Sequence, residues 1–147
     1  MWLRDIADVD CDYDQDVLIT GNSSSGFILE LYTNDGNGNF SIVPITPFTG
    51  VQLSSIAFAD VDGDTDQDVL ITGKTNSDYI SELYTNDGSG IFSLATNTPF
   101  ANLRNSTIAF ADVDGYMDPD VLRTGTNDYG PLSELFSNDG SGIFTLV

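Results

Sequence analysis

Five aspartates occupy alternate positions from Asp60 to Asp68 in DVDGDTDQD, and an apolar run follows at once. Alternate residues of a tight loop can point at one centre, so these side chains can act together as hard oxygen ligands. Two carboxylates about 4 Å apart repel by roughly 1 kcal/mol in water and about 4 kcal/mol at an effective dielectric of 20. Four of them make six such pairs, a total that rivals the whole stability of a domain, about 5 to 15 kcal/mol. A cation must sit among them. Counting the first aspartate as position one, positions one, three, five and nine are Asp60, Asp62, Asp64 and Asp68, and earlier in the chain Asp8, Asp10, Asp12 and Asp16.

Calcium suits this donor set. It takes six to eight oxygens in flexible geometry, whereas magnesium demands a strict octahedron and zinc prefers nitrogen or sulfur, and the chain has no histidine. The backbone carbonyl of position seven, from Asp14, Asp66 or Asp118, is the expected further ligand, with Gly63 and Gly115 permitting the sharp turn. An EF-hand is excluded, since it needs a bidentate Glu at position twelve, where this chain has Ile19, Ile71 or Arg123. A third loop, DVDGYMDPD, keeps Asp112, Asp114 and Asp120 but has Tyr116 at position five. Asp118 must then take its place, or the site is weak or empty. Two calcium ions are therefore expected, and the third loop is where the repeat should fail.

The net charge of −19 argues against nucleic acid or an anionic membrane as partner, because either would be repelled. No apolar run is long enough to span a bilayer, and MWLRDIADVD lacks the regions of a signal peptide, so any export signal is expected outside these residues. Cys11 is the single cysteine, which excludes an internal disulfide framework.

The acidic loops recur because the chain does. Asp8, Asp60 and Asp112 are 52 residues apart, and from Ser54–Leu94 to Ser106–Leu146 26 of 41 positions are identical without a gap. Within the middle unit SSIAFA alternates as a strand, DVLITG reads as a strand buried on both faces, YISELYT alternates again, and NDGSG turns the chain into IFSL. The expected fold is all-β, with three four-stranded antiparallel β-propeller blades over residues 1–50, 51–102 and 103–147. A parallel solenoid is the rival, disfavoured by its shorter rungs and by the hairpin in every unit. Three blades do not close a ring of four to eight, so an incomplete propeller or an open stack is expected.

SSIAFADVDGDTDQDVLITG followed by ELYTNDGSGIF resembles the FG-GAP and VCBS-type repeats, the first known from integrin α-subunit propellers. The resemblance runs over essentially the whole chain. It implies calcium-binding propeller blades with ligands at the odd loop positions, and an extracellular or cell-surface location. The chain departs from that pattern at position six, where glycine is replaced by Tyr13, Thr65 or Met117, and at Cys11 in position four.

The other repeated groups read as structural. Asn-Asp-Gly at Asp35, Asp87 and Asp139 is first a hairpin signal, and Glu30, Glu82 and Glu134, one per unit, suit a polar network better than paired-carboxylate catalysis. No nucleophile–base or phosphate-cradling motif is present, so the chain is expected not to be an enzyme. Meander topology puts the second-to-third loops and the links on the edge opposite the metal loops, where the copies differ most. Asn76, Tyr79, Asn127 and Tyr129 are the candidate ligand-binding residues there. Arg4 and Arg123 replace apolar residues of the other units, and are expected to cap an open stack or meet acidic groups of another copy. The expected function is a structural, adhesive or self-assembling module, with other copies, further blades, or a protein or glycan ligand as partners. A carbohydrate-binding, lectin-like propeller is the alternative.

Overall fold

The computed structural model describes residues 3–147. The 52-residue period becomes three four-stranded antiparallel sheets, each a meander in chain order. The first comprises β1 (Leu3–Ala7), β2 (Asp16–Ser23), β3 (Gly26–Asn34) and β4 (Phe40–Ile42). The second comprises β5 (Gln52–Ala59), β6 (Asp68–Lys74), β7 (Tyr79–Asn86) and β8 (Phe92–Leu94), and the third β9 (Arg104–Ala111), β10 (Asp120–Asn127), β11 (Gly130–Asn138) and β12 (Phe144–Leu146). The described residues contain no helix. Register repeats with sequence: Val17 faces Tyr32, Val69 faces Tyr84, and Val121 faces Phe136.

The sheets stack face to face, and strand alternation decides which residues meet. Leu18 and Leu31 of the first sheet pack against Val69, Ile71, Tyr84 and Phe92 of the second. Val61, Leu70 and Leu83 on the other face of the second pack against Val121, Phe136 and Phe144 of the third. The middle strand β6 is therefore buried on both faces from Asp68 to Gly73, as DVLITG predicted. In β2 the residues facing away from the stack, Val17 and Ile19, are only half-buried. In β10 the opposite set, including Leu122, is exposed. The molecule is thus three blades of an incomplete propeller or open stack.

The proline-containing links do more than punctuate. Phe48 meets the Tyr84 ring edge-on at 5.0 Å and Phe92 at 5.1 Å, and Phe100 repeats this on Phe136 and Phe144, each at 5.1 Å. Each link thereby packs an aromatic ring onto two rings of the blade that follows it, a contact that contributes beyond its buried area.

The expectation for Arg123 is corrected. Arg4 is exposed on the first blade, but Arg123 is fully buried between the second and third blades. Its Nη1 donates to Ser81 Oγ at 3.1 Å and to the Ala101 carbonyl at 2.8 Å, and its Nη2 pairs with Glu134. The reason lies two residues beyond the glutamate. Tyr32 and Tyr84 donate their hydroxyls to Glu30 and Glu82, whereas the third blade has Phe136, and the guanidinium supplies the missing donor. The repeated glutamates are thus anchored inside the polar network of each blade.

Candidate metal centres

Each acidic loop joins the first strand of a blade to its central strand. Position nine, Asp16, Asp68 or Asp120, opens the central strand and is buried. Its Oδ2 accepts the backbone N–H of position two, Val9, Val61 or Val113, at 2.9, 2.9 and 2.8 Å. Its Oδ1 accepts the backbone N–H of Asn34, Asn86 or Asn138 at 2.9 Å in every blade. This one carboxylate ties the loop to the third strand.

Position one folds the loop over itself. Asp60 accepts from Gly63 N–H at 2.8 Å and Thr65 N–H at 2.9 Å. Asp112 makes the same bonds to Gly115 and Met117, and Asp8 accepts from Tyr13 in the same way but from Asp12, at position five, in place of Cys11. Positions four and six consequently turn left-handed, at Cys11, Gly63 and Gly115 and at Tyr13, Thr65 and Met117, with φ between 61° and 87°. Outside glycine that conformation costs roughly 1 to 2 kcal/mol, which the carboxylate bonds offset.

The carboxylates of positions one, three and nine converge. Asp8, Asp10 and Asp16 bring one oxygen each within 4.8 Å of one another, as do Asp60, Asp62 and Asp68, and Asp112, Asp114 and Asp120. Asp12 and Asp64, at position five, lie outside these trios; they are exposed and accept the N–H of Asp14 and Asp66 at 2.9 and 3.0 Å. The side chains of position seven lie against the hairpin turn of their own blade. A Cβ on Gly36 or Gly88 would come within 2.5 Å of Asp14 Oδ2 or 2.6 Å of Asp66 Oδ2, and one on Gly140 within 3.4 Å of Asp118 Oδ2. The third loop therefore assembles its trio despite Tyr116. It differs in exposure, since Asp112 and Asp114 are open to solvent while their counterparts in the first two loops are half-buried.

Electrostatics mark the trios as incomplete. Asp10 Oδ1 and Asp62 Oδ1 are buried without a hydrogen-bond partner. Burial, then the neighbouring aspartates, pushes both of these carboxyls above the usual range. Burial pushes Asp68 up to about 6, against the pull of its two backbone N–H partners. Among the described residues Arg123–Glu134 is the one ion pair, so no basic side chain neutralises the clusters. Converging hard oxygens, vacant buried acceptors and the lack of imidazole fit a divalent cation of calcium type. When bound it would supply charge neutralisation and ligation by Asp8, Asp10 and Asp16, and by their counterparts in the other loops.

Residues 8–71 match the family model of the FG-GAP-like repeat. That segment is similar to the FG-GAP-like repeat. It runs from the first aspartate of the first trio to Ile71 in β6, so it takes in both half-buried trios. The third blade extends the repeat at the same 52-residue spacing. Neither a curated protein nor a solved structure gave a match.

The remaining expected residues lie as follows. Asp35, Asp87 and Asp139 accept N–H bonds from residues two and four positions on, and so shape their turns. Cys11 Sγ lies 3.4 Å from Asp66 Oδ1 and links the first two loops. On the opposite edge Tyr79, Asn127 and Tyr129 line one cleft with Asp78, Asn102 and Asp128, and Asn76 is exposed outside it. Sequence reasoning passed over Asn34, Asn86 and Asn138. Their signal was the asparagine found two residues after the aromatic in all three copies.

Proposed function

We propose that the chain is a calcium-binding FG-GAP-like repeat module, non-catalytic, whose metal-rigidified blades serve a structural, adhesive or assembly role outside the cell or at its surface. The observation that carries this reading is the aspartate trio formed three times over, with no basic neighbour and with buried unpartnered oxygens in the first two loops. Calcium sites of extracellular modules hold their ion at about 0.1 to 1 mM, a range matched to an environment where calcium is plentiful. Other copies of the chain, further blades, or a protein or glycan ligand are the partners such a module would take.

Thermal unfolding with calcium and with a chelator tests it. Binding to the folded form alone stabilises by about 2.7 kcal/mol per site at a hundredfold excess over the dissociation constant, so melting should rise clearly in calcium. An unchanged melting temperature refutes the metal reading.

A second reading is favoured by the cleft on the opposite edge. Tyr129 offers an exposed aromatic ring, Tyr79 a ring stacked on one side by the Arg104 guanidinium, and Asn127, Asp78 and Asp128 offer polar groups, the combination a carbohydrate ring uses. A glycan array in calcium decides it, with no sugar bound counting against a lectin.

A further inference from the structure

Calcium takes six to eight oxygens, so a trio of carboxylates leaves its coordination unfinished. In the first two loops a fourth carboxylate stands beside the trio at position five, where Asp12 and Asp64 accept the N–H of Asp14 and Asp66. The third loop has Tyr116 there and no carboxylate to offer. Its position seven, Asp118, is also placed differently.

The hairpin turn of each blade measures the difference. A Cβ on Gly88 would lie 2.6 and 2.8 Å from Asp66 Oδ2 and Oδ1, and one on Gly36 would lie 2.5 and 3.1 Å from the same atoms of Asp14, so both carboxylates press on the turn with both oxygens. A Cβ on Gly140 would lie 3.4 Å from Asp118 Oδ2 and more than 4 Å from its Oδ1. Asp118 therefore stands off its turn, with one oxygen directed away from it. That oxygen is buried and has no hydrogen-bond partner. Position seven meets the preceding blade, which for Asp118 is the second. In the second loop the corresponding Asp66 Oδ1 is met by Cys11 Sγ at 3.4 Å, from position four of the loop before it; for the third loop that residue is Gly63, which brings no side chain. The carboxylates whose charge acts most strongly on Asp118 are Asp114, Asp120 and Asp112, the three members of its own trio.

We infer that in the third loop the Asp118 side chain takes over from position five, so that Asp112, Asp114, Asp118 and Asp120 hold a third cation of calcium type. Asp118 lies outside the 4.8 Å trio, as Asp12 and Asp64 do, and a rotation of its side chain brings the free oxygen onto the ion. A buried charged acceptor without a partner is costly, and the bound cation removes that cost. The second loop has no such need, because Asp64 supplies its fourth carboxylate while the turn and Cys11 keep Asp66 engaged. The chain then holds three ions rather than two. The inference rests on the calcium reading above and names a ligand of its third site.

The test is a calcium titration of the full chain followed by backbone amide NMR, which reads residues 8–16, 60–68 and 112–120 as separate loops. All three sets should shift. Asp118→Asn should weaken binding at the third loop by about tenfold or more and leave the other two loops unmoved, whereas Asp66→Asn should leave the second loop binding as the parent does. Tyr116→Asp restores a carboxylate at position five, so combining it with Asp118→Asn should return the third loop to parental affinity. Because Asp118 Oδ1 has no partner, Asp118→Asn should fold as the parent does, which the unchanged signals of the first two loops verify in the same spectra. A third loop that binds equally well with Asp118→Asn overturns the inference. So does an Asp66→Asn variant that weakens its own loop to the same extent, or a double variant that stays weak. Shifts confined to the first two loops of the parent refute this inference alone, and shifts in none of the loops refute the metal reading beneath it.

Discussion

Asp62→Asn separates two tasks that the loop carboxylates share. Asp68 accepts two backbone N–H groups at 2.9 Å and so holds the fold, whereas Asp62 Oδ1 is buried with no partner. The Asp62 carboxylate stands within 4.8 Å of both Asp60 and Asp68. At that distance each like-charge pair costs about 0.9 kcal/mol in water and about 3.5 kcal/mol at an effective dielectric of 20. Asp62 is half-buried, so its pairs with Asp60 and Asp68 cost roughly 2 to 4 kcal/mol together, and Asp64 adds to that repulsion. The amide leaves its own N–H groups partly unmet, which returns about 1 to 2 kcal/mol. In chelator, then, Asp62→Asn should be more stable than the parent by about 1 to 2 kcal/mol, a rise of about 2 to 8 °C in melting temperature for a chain of this size. In calcium the sign reverses, because the second loop loses a ligand and with it the stabilisation that binding gives. Urea unfolding in both solutions, with Asp68→Asn as the variant destabilised in each, reads out the contrast. A variant less stable than the parent by more than about 1 kcal/mol in chelator would show that Asp62 is a structural acceptor and refute the argument.

Two further outcomes follow from the buried charges. Replacing Arg123 by Ala leaves Glu134 without its partner and should cost about 3 to 5 kcal/mol in urea unfolding; Arg123→Ile combined with Phe136→Tyr rebuilds the arrangement of the second blade and should recover most of it. In chelator the protein should gain stability as pH falls from 7 toward 4. Asp68 has a folded-state pKa of about 6 against an ordinary 3.8, so between those values the folded state binds the extra proton. The gain is about 3 kcal/mol when complete, and chelated Asp68→Asn should lack it; stability that instead falls over this range contradicts the reading.

The fold was legible because each unit is written in period two and punctuated by Asn-Asp-Gly, so strand order, register and the doubly buried DVLITG followed from spacing. The convergence of positions one, three and nine was legible for the same reason. Position five was not. Asp12 and Asp64 share the odd-position spacing, but they stand at the exposed rim of the trios, each accepting the N–H of position seven while its charge raises Asp10 or Asp62, and spacing alone carries no information on φ where cysteine, tyrosine and threonine stand in for glycine. For this reason Tyr116 removes no carboxylate from the third trio. Arg123 was misread because it was compared only with Ile19 and Ile71 at its own position. The change from Tyr84 to Phe136, far along the chain but adjacent across the sheet, is the other half of the same substitution.

Tandem copies this similar run a risk of their own, since the front of any blade resembles the front of every other and strands can pair with the wrong neighbour during folding. Arg123 removes that degeneracy. Its guanidinium finds Ser81 Oγ only on the second blade, where the first blade has the buried Leu29 at the matching position. A third blade docked onto the first would set a desolvated charge against a leucine side chain, so the out-of-order stack is the one that fails. The arginine acts as an address, recording which copy stands next to which in a chain whose repeats are otherwise nearly interchangeable.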